Sequence, residues 1–192
     1  MFDEILDENG QPREHYKNYA DWLKSCPAGH LDSRMLEADL MFRRIGITFA
    51  VYGEGENTER LIPSDPVPRI ISASEWEFLE KGLEQRVTAL NMFLHDVYHD
   101  GKIFKDGIIP AEKIYKNAQF QPCMMGLDLP KQIYSHISGV DIIRNSDGNY
   151  YVLEDNLRVP SGVSYMLQNR RMSQRLFPEL FDRYQVLPVE RY

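Results

Sequence analysis

Apolar residues recur at helical spacing in several stretches of the chain and alternate with polar ones in others. Over residues 15–25, Tyr16, Tyr19, Trp22 and Leu23 share one helical face, and Pro27-Ala28-Gly29 ends the run. A second helix is expected over 31–45, with Gly46 placed to close it in the left-handed region. Residues 47–52 are β-branched and aromatic and read as a strand. A polar turn at 53–57 and a returning strand at 58–62 complete a hairpin, and the proline-rich 63–68 must be extended. The longest periodic element is 74–98. Ser74 and Glu77 have the spacing of a capping box, and Leu79, Leu83, Val87, Leu90, Leu94 and Val97 form one apolar stripe. A short helix is expected over 111–118, a loop from Pro122 to Pro130, and one long strand from 133 to 144. After Pro160-Ser161-Gly162 a last helix begins, limited by Pro178. The pattern is α+β: an antiparallel or mixed sheet with packed helices, the 74–98 helix lying across a hairpin at 133–158.

That hairpin carries the chemistry. Asp147-Gly148 separates Gly139–Arg144 from Tyr150–Asn156, and Asp-Gly between apolar runs favours a two-residue turn. Such a turn sets Asp141 opposite Glu154 and Gly139 opposite Asn156, and a four-residue loop keeps the same parity. Tyr150, Val152, Glu154, Asn156 and Arg158 then share a face. Asp155 stands as the polar exception among Tyr151, Leu153, Leu157 and Val159. Like charges opposed across a ladder repel, so a cation should sit between them. Two carboxylates and a carboxamide suit Mg²⁺ or Mn²⁺ better than Zn²⁺. Arg158, with the Ser161-Gly162 turn opening a helix, adds groups that attract phosphate.

The chain has 192 residues, a net charge of −7 and no cluster of five or more Lys and Arg, which argues against sequence-independent nucleic-acid binding. Cys26 and Cys123 fit no metal or redox spacing and read as free thiols. Without a basic, apolar leader or a long apolar run, a cytoplasmic setting is expected. His95 and His99 have zinc-like spacing but no third ligand nearby, so they read as solvated residues at a helix end. His136 reads as a packed or surface residue. Arg60 and Arg69 are equally compatible with carboxylate binding and a surface role.

The same residues carry a likeness. Gly-Val-Asp-Ile-Ile-Arg at 139–144, followed by Tyr-Val-Leu-Glu-Asp-Asn-Leu-Arg-Val-Pro-Ser-Gly at 151–162, resembles the signature of circularly permuted ATP-grasp proteins related to glutathionylspermidine synthase. Segments around Gly46–Phe49, Val51–Gly53, Glu59–Pro63, Gln85–Val87 and Asn169–Arg171 extend it over the chain. The resemblance implies Asp141, Glu154 and Asn156 as Mg²⁺ (or Mn²⁺) ligands, and Arg158, Ser161 and Gly162 as contacts to ATP phosphate or to an acyl-phosphate intermediate. It implies an ATP-dependent carboxylate–amine ligase. Members are more than twice this length, with lysine-bearing adenine-clamping strands after the metal motif. A single, incomplete domain is therefore expected, the metal-binding half, with a further chain as a candidate supplier of the rest. The alternative is a non-catalytic binding or scaffold module that keeps the fold. A metal-dependent hydrolase lacks a convincing His ligand or nucleophile dyad.

Overall fold

The computed structural model describes residues 2–46, 48–50, 59–61 and 65–190, with backbone alone at 49–50 and 59–61. The turn expected at 53–57, the outer parts of its flanking strands and residues 63–64 lie outside this set. In chain order the helices are α1 (Lys17–Ser25), α2 (His30–Ile45), α3 (Ala73–Tyr98), α4 (Lys102–Lys105), α5 (Ala111–Tyr115), α6 (Val163–Leu176) and α7 (Pro178–Phe181). The strands are β1 (Thr48–Ala50), β2 (Glu59–Leu61), β3 (Gly139–Arg144) and β4 (Tyr150–Asn156), forming the antiparallel pairs β1–β2 and β3–β4. The protein is α+β, with two compact units.

One unit comprises Asp3–Ser72 and the chain from Gly162 onward. Its core is a cluster of Tyr16, Tyr19, Trp22, Ala38, Phe42, Met172, Leu176, Phe177 and Leu180, contributed by α1, α2, α6 and α7 with Tyr16 just before α1 and Phe177 between α6 and α7. Covered tyrosine hydroxyls need partners, and those of Tyr16 and Tyr184 find backbone ones, whereas that of Tyr19 is buried without one among the described residues. Tyr16 accepts from the Ile70 amide at 2.8 Å, and Tyr184 accepts from the Tyr19 amide at 2.8 Å while donating to the His15 carbonyl at 3.1 Å. Gly46 closes α2 at φ 73° as expected.

The other unit comprises Ala73–Ser161 together with Phe2. Its spine is α3, and the predicted stripe is the covered one: Leu79 and Val97 are buried, while Leu83, Val87, Leu90 and Leu94 are partly covered. Glu77, Glu80, Lys81 and Glu84 on the other faces are exposed. The helix starts at Ala73, so Ser74 lies inside its first turn rather than at the cap expected for it. The short helix at 111 stops at Tyr115, three residues early.

The long strand expected from 133 to 144 is cut to Gly139–Arg144. The reason is Asn91 on α3. Its carboxamide oxygen accepts from the amides of Tyr134 and Ser135 at 2.7 and 2.9 Å, satisfying donors that a strand ladder would otherwise need. Ser135 is buried, and its hydroxyl donates to the Leu157 carbonyl at 3.0 Å. His136, beside it, is exposed.

The β3–β4 loop also differs from the two-residue turn. The Asn145 amide donates to the Asn149 carbonyl at 2.9 Å, leaving Ser146, Asp147 and Gly148 as a three-residue loop. Gly148 sits at φ 80°, the left-handed residue such loops require, and a Cβ there would fall 2.9 Å from the Phe2 ring.

Candidate functional site

A three-residue loop pairs Arg144 with Tyr150, Ile143 with Tyr151 and Ile142 with Val152. Continued without interruption, it would bring Asp141 opposite Leu153 and turn Glu154 to the other face of the hairpin. A β-bulge between Asp141 and Ile142 prevents this. Leu153 is the extra residue on β4, and beyond it Asp141 pairs with Glu154, Val140 with Asp155 and Gly139 with Asn156. The expected partners meet, although two irregularities were needed to bring them together.

The bulge corrects the parity read from sequence. Tyr150 and Val152 are half-buried on the inner face, with Ile142 and Arg144, whereas Glu154 and Asn156 are exposed on the outer face with Asp141. Asp155, the polar exception, turns inward toward α3. There Arg86 grips its carboxylate with two 2.7 Å hydrogen bonds, the Asp155 side chain being only 15% exposed. That bidentate bond holds the Asp155 carboxyl below the ordinary carboxylate range, because it favours the charged form.

On the outer face Asp141 and Glu154 are directly opposed, and the Asn156 amide donates to Glu154 Oε1 at 3.2 Å. Among the described residues neither carboxylate has an ion-pair partner. The Asn156 amide, bonded to Glu154, offsets part of their mutual repulsion. Among those residues no group of three or more His, Cys, Asp and Glu is gathered for a metal. The outer face instead offers two carboxylates and a carboxamide oxygen, open to solvent. That donor set fits Mg²⁺, which takes one or two carboxylates and completes its shell with water or phosphate.

Arg158 is exposed, and its guanidinium donates to Gln119 Oε1 rather than to the carboxylates. Ser161 is exposed and ends one unit, while Gly162 begins the second segment of the other. At φ 96° Gly162 precedes α6, whose first turn has no side-chain cap. Arg69 pairs with Glu4 at 2.8 Å, and the Arg60 side chain lies outside the described set. His95 and His99 are not solvated as expected. They stack at 4.1 Å, part-covered, with His95 Nδ1 3.2 Å from the Tyr134 hydroxyl and His99 Nδ1 2.9 Å from the His95 carbonyl.

Sequence reading missed the residues that hold the hairpin. Arg144 pairs with Glu75 at the start of α3 at 2.8 Å and lies 4.2 Å from the Phe2 ring centre and 4.8 Å from that of Tyr150. Arg86 acts at the far end. Between them α3 and the hairpin enclose a cleft of about 610 Å³, lined by Leu79, Leu83, Leu90, Ile142 and Val152. The one available signal was Asp155, whose misfit with its neighbours' pattern marked the change of parity.

Residues 68–192 match the family described as a circularly permuted ATPgrasp. The chain belongs to that family. A Synechocystis protein of unassigned function is 41% identical over 193 residues, covering all of this chain and 40% of its own length. An uncharacterised Mycobacterium leprae protein is 44% identical over 191 residues, covering 100% of this chain and 33% of its own length. A Frankia casuarinae protein named "Putative glutamate--cysteine ligase 2-2" is 38% identical over 179 residues, 93% of this chain and 20% of its own length. The chain thus spans a third to two fifths of the first two relatives. No helix among the described residues is long and apolar enough to cross a membrane.

Proposed function

We propose that this chain is the metal-binding part of an ATP-dependent carboxylate–amine ligase with a partial ATP-grasp fold, acting through an acyl phosphate. One observation carries the reading: Asp141 and Glu154 face each other across the ladder, with the Asn156 carboxamide beside them and, among the described residues, no cationic side chain paired to either. Asp141, Glu154 and Asn156 would hold Mg²⁺, or Mn²⁺ in its place. When bound, the ion neutralises phosphate oxygens of ATP and so favours phosphoryl transfer to a carboxylate. Arg158, two residues past the end of β4, would meet developing phosphate charge, and Ser161 and Gly162 are the proposed further phosphate contacts. Family membership and the ligase name of the Frankia relative support the reaction class. The nucleotide pocket would be completed by protein outside this chain.

The test is a Mn²⁺ titration of the 192-residue chain followed by electron paramagnetic resonance, with amide NMR of the same protein. Saturable binding is expected, with paramagnetic broadening centred on Asp141, Glu154 and Asn156, and both effects should vanish in Glu154→Gln. Broadening spread evenly over surface carboxylates, unchanged by that substitution, would sink the metal reading.

A further inference from the structure

We propose that the Arg86–Asp155 ion pair is a lock on the bulged register of β4, and that this lock assembles the Asp141, Glu154 and Asn156 face. Its functional consequence rests on the metal reading above. The lock itself is a statement about register alone.

Two registers are open to this hairpin. Near the loop the pairing is fixed by the three-residue turn, which alone would continue as Asp141 opposite Leu153 and Gly139 opposite Asp155. In that unbulged arrangement Asp141, Leu153 and Asp155 would point outward, and Glu154 and Asn156 inward. The observed arrangement inserts Leu153 as the bulge and reverses the last three residues. Burial of apolar surface does not choose between them, since Leu153 is 64% exposed here and would also face outward in the alternative. Charge chooses. In the bulged register Asp155 is delivered to Arg86, with both guanidinium–carboxylate bonds at 2.7 Å. In the unbulged one Asp155 leaves that guanidinium, and Glu154 becomes the carboxylate on the inner face. Arg86 thus selects which of two adjacent acids faces α3. When it takes Asp155, Glu154 is released to stand opposite Asp141. Bulges re-aim side chains in this way beside functional sites. Arg86 and Asp155 are accordingly positioning residues that act through Glu154 and Asn156.

The substitution that isolates the lock is Asp155→Asn, which leaves Arg86 with Glu154 as its best partner. Cross-strand NOEs from Asp141, recorded without metal, should move from Glu154 to Leu153. The Mn²⁺ dissociation constant should rise about tenfold or more, as when a supporting partner of a metal ligand is lost. Asp155→Glu should keep both wild-type signatures. In Asp155→Asn/Arg86→Gln, where nothing draws Glu154 inward, part of the Mn²⁺ affinity should return, which a merely structural role would not produce. Should Asp155→Asn not fold, Arg86→Gln alone is expected to show NOEs from Asp141 to both Leu153 and Glu154. Asp141 NOEs that stay solely with Glu154 in folded Asp155→Asn, or in Arg86→Gln where Asp155→Asn does not fold, overturn the lock, whatever happens to affinity. A wild-type chain without saturable Mn²⁺ binding overturns the metal reading instead, and the NOEs still decide the lock.

Discussion

Replacing Arg144 with Met removes a guanidinium from the crossing point of the unit formed by α3 and the hairpin, while keeping a stem of similar length. Arg144 and Glu75 are 17% and 19% exposed, and their 2.8 Å contact is charge-assisted. A hydrogen bond to a charged group contributes about 1.5–3 kcal/mol when its loss leaves the partner under-solvated. Arg144 Nε also donates to the Gly148 carbonyl at 2.9 Å, and its guanidinium lies over the Phe2 and Tyr150 rings, each worth about 0.5–1 kcal/mol at partly exposed sites. These contributions are not additive. Glu75 can regain some water, and the Met side chain keeps part of the ring contact. A net loss of about 2–3 kcal/mol is expected from urea unfolding followed by far-UV circular dichroism at pH 7. Glu75→Gln should cost less. The double variant should fall short of the sum of the single losses by about 1–2 kcal/mol, because both remove the same bond. A loss below about 0.5 kcal/mol in Arg144→Met would refute the idea that this residue fastens the turn of the hairpin to α3.

Asn91→Ala strips the acceptor shared by the Tyr134 and Ser135 amides. It should cost about 2–3 kcal/mol and speed hydrogen exchange at those two amides, whereas slow exchange there would mean that the 133–138 segment is held by something else. Acid unfolding should single out Asp155. Its folded pKa is depressed by Arg86, so its contribution is complete above the unfolded value of about 4 and is lost as pH falls through the folded one. Between pH 6 and 3 the urea midpoint of the wild type should therefore fall more steeply than that of Asp155→Asn, and parallel curves would show that the pair adds no pH-dependent stability.

The helices were legible because their signal is periodic and local. The α3 stripe from Leu79 to Val97 is the covered one, and Gly46 ends α2 where a left-handed residue was expected. What the pattern could not supply were partners distant in sequence. Alternation over 133–138 looks like a strand, but Asn91, some forty residues earlier, takes its amides and the ladder never forms. Asp147-Gly148 reads as a two-residue turn, yet Asn145 and Asn149 close around three. The facing of Asp141 and Glu154 was read correctly through a turn the chain does not use, because the bulge at Leu153 restores the shift. Had Asp155 been weighed as the start of a parity change, rather than as an isolated exception, both the bulge and its Arg86 partner would have been within reach.

The outer face and the inner ion pair are two sides of one equilibrium. Opposed carboxylates at Asp141 and Glu154 disfavour the bulged register by about 0.2–1 kcal/mol, the range for cross-strand pairs. The bidentate Arg86–Asp155 bond favours it, and Arg86 is 42% exposed, so solvent holds that gain to a comparable size. The bulged register is the one observed, so in the free chain the ion pair outweighs the repulsion. A cation held by Asp141, Glu154 and Asn156 would reverse the sign of the first term and add to the second. Ligand and ion pair would then stabilise the same strand conformation and strengthen each other reciprocally. On the proposed lock, the inner salt bridge would be tied to the outer site through one residue of register, without any side chain passing between them.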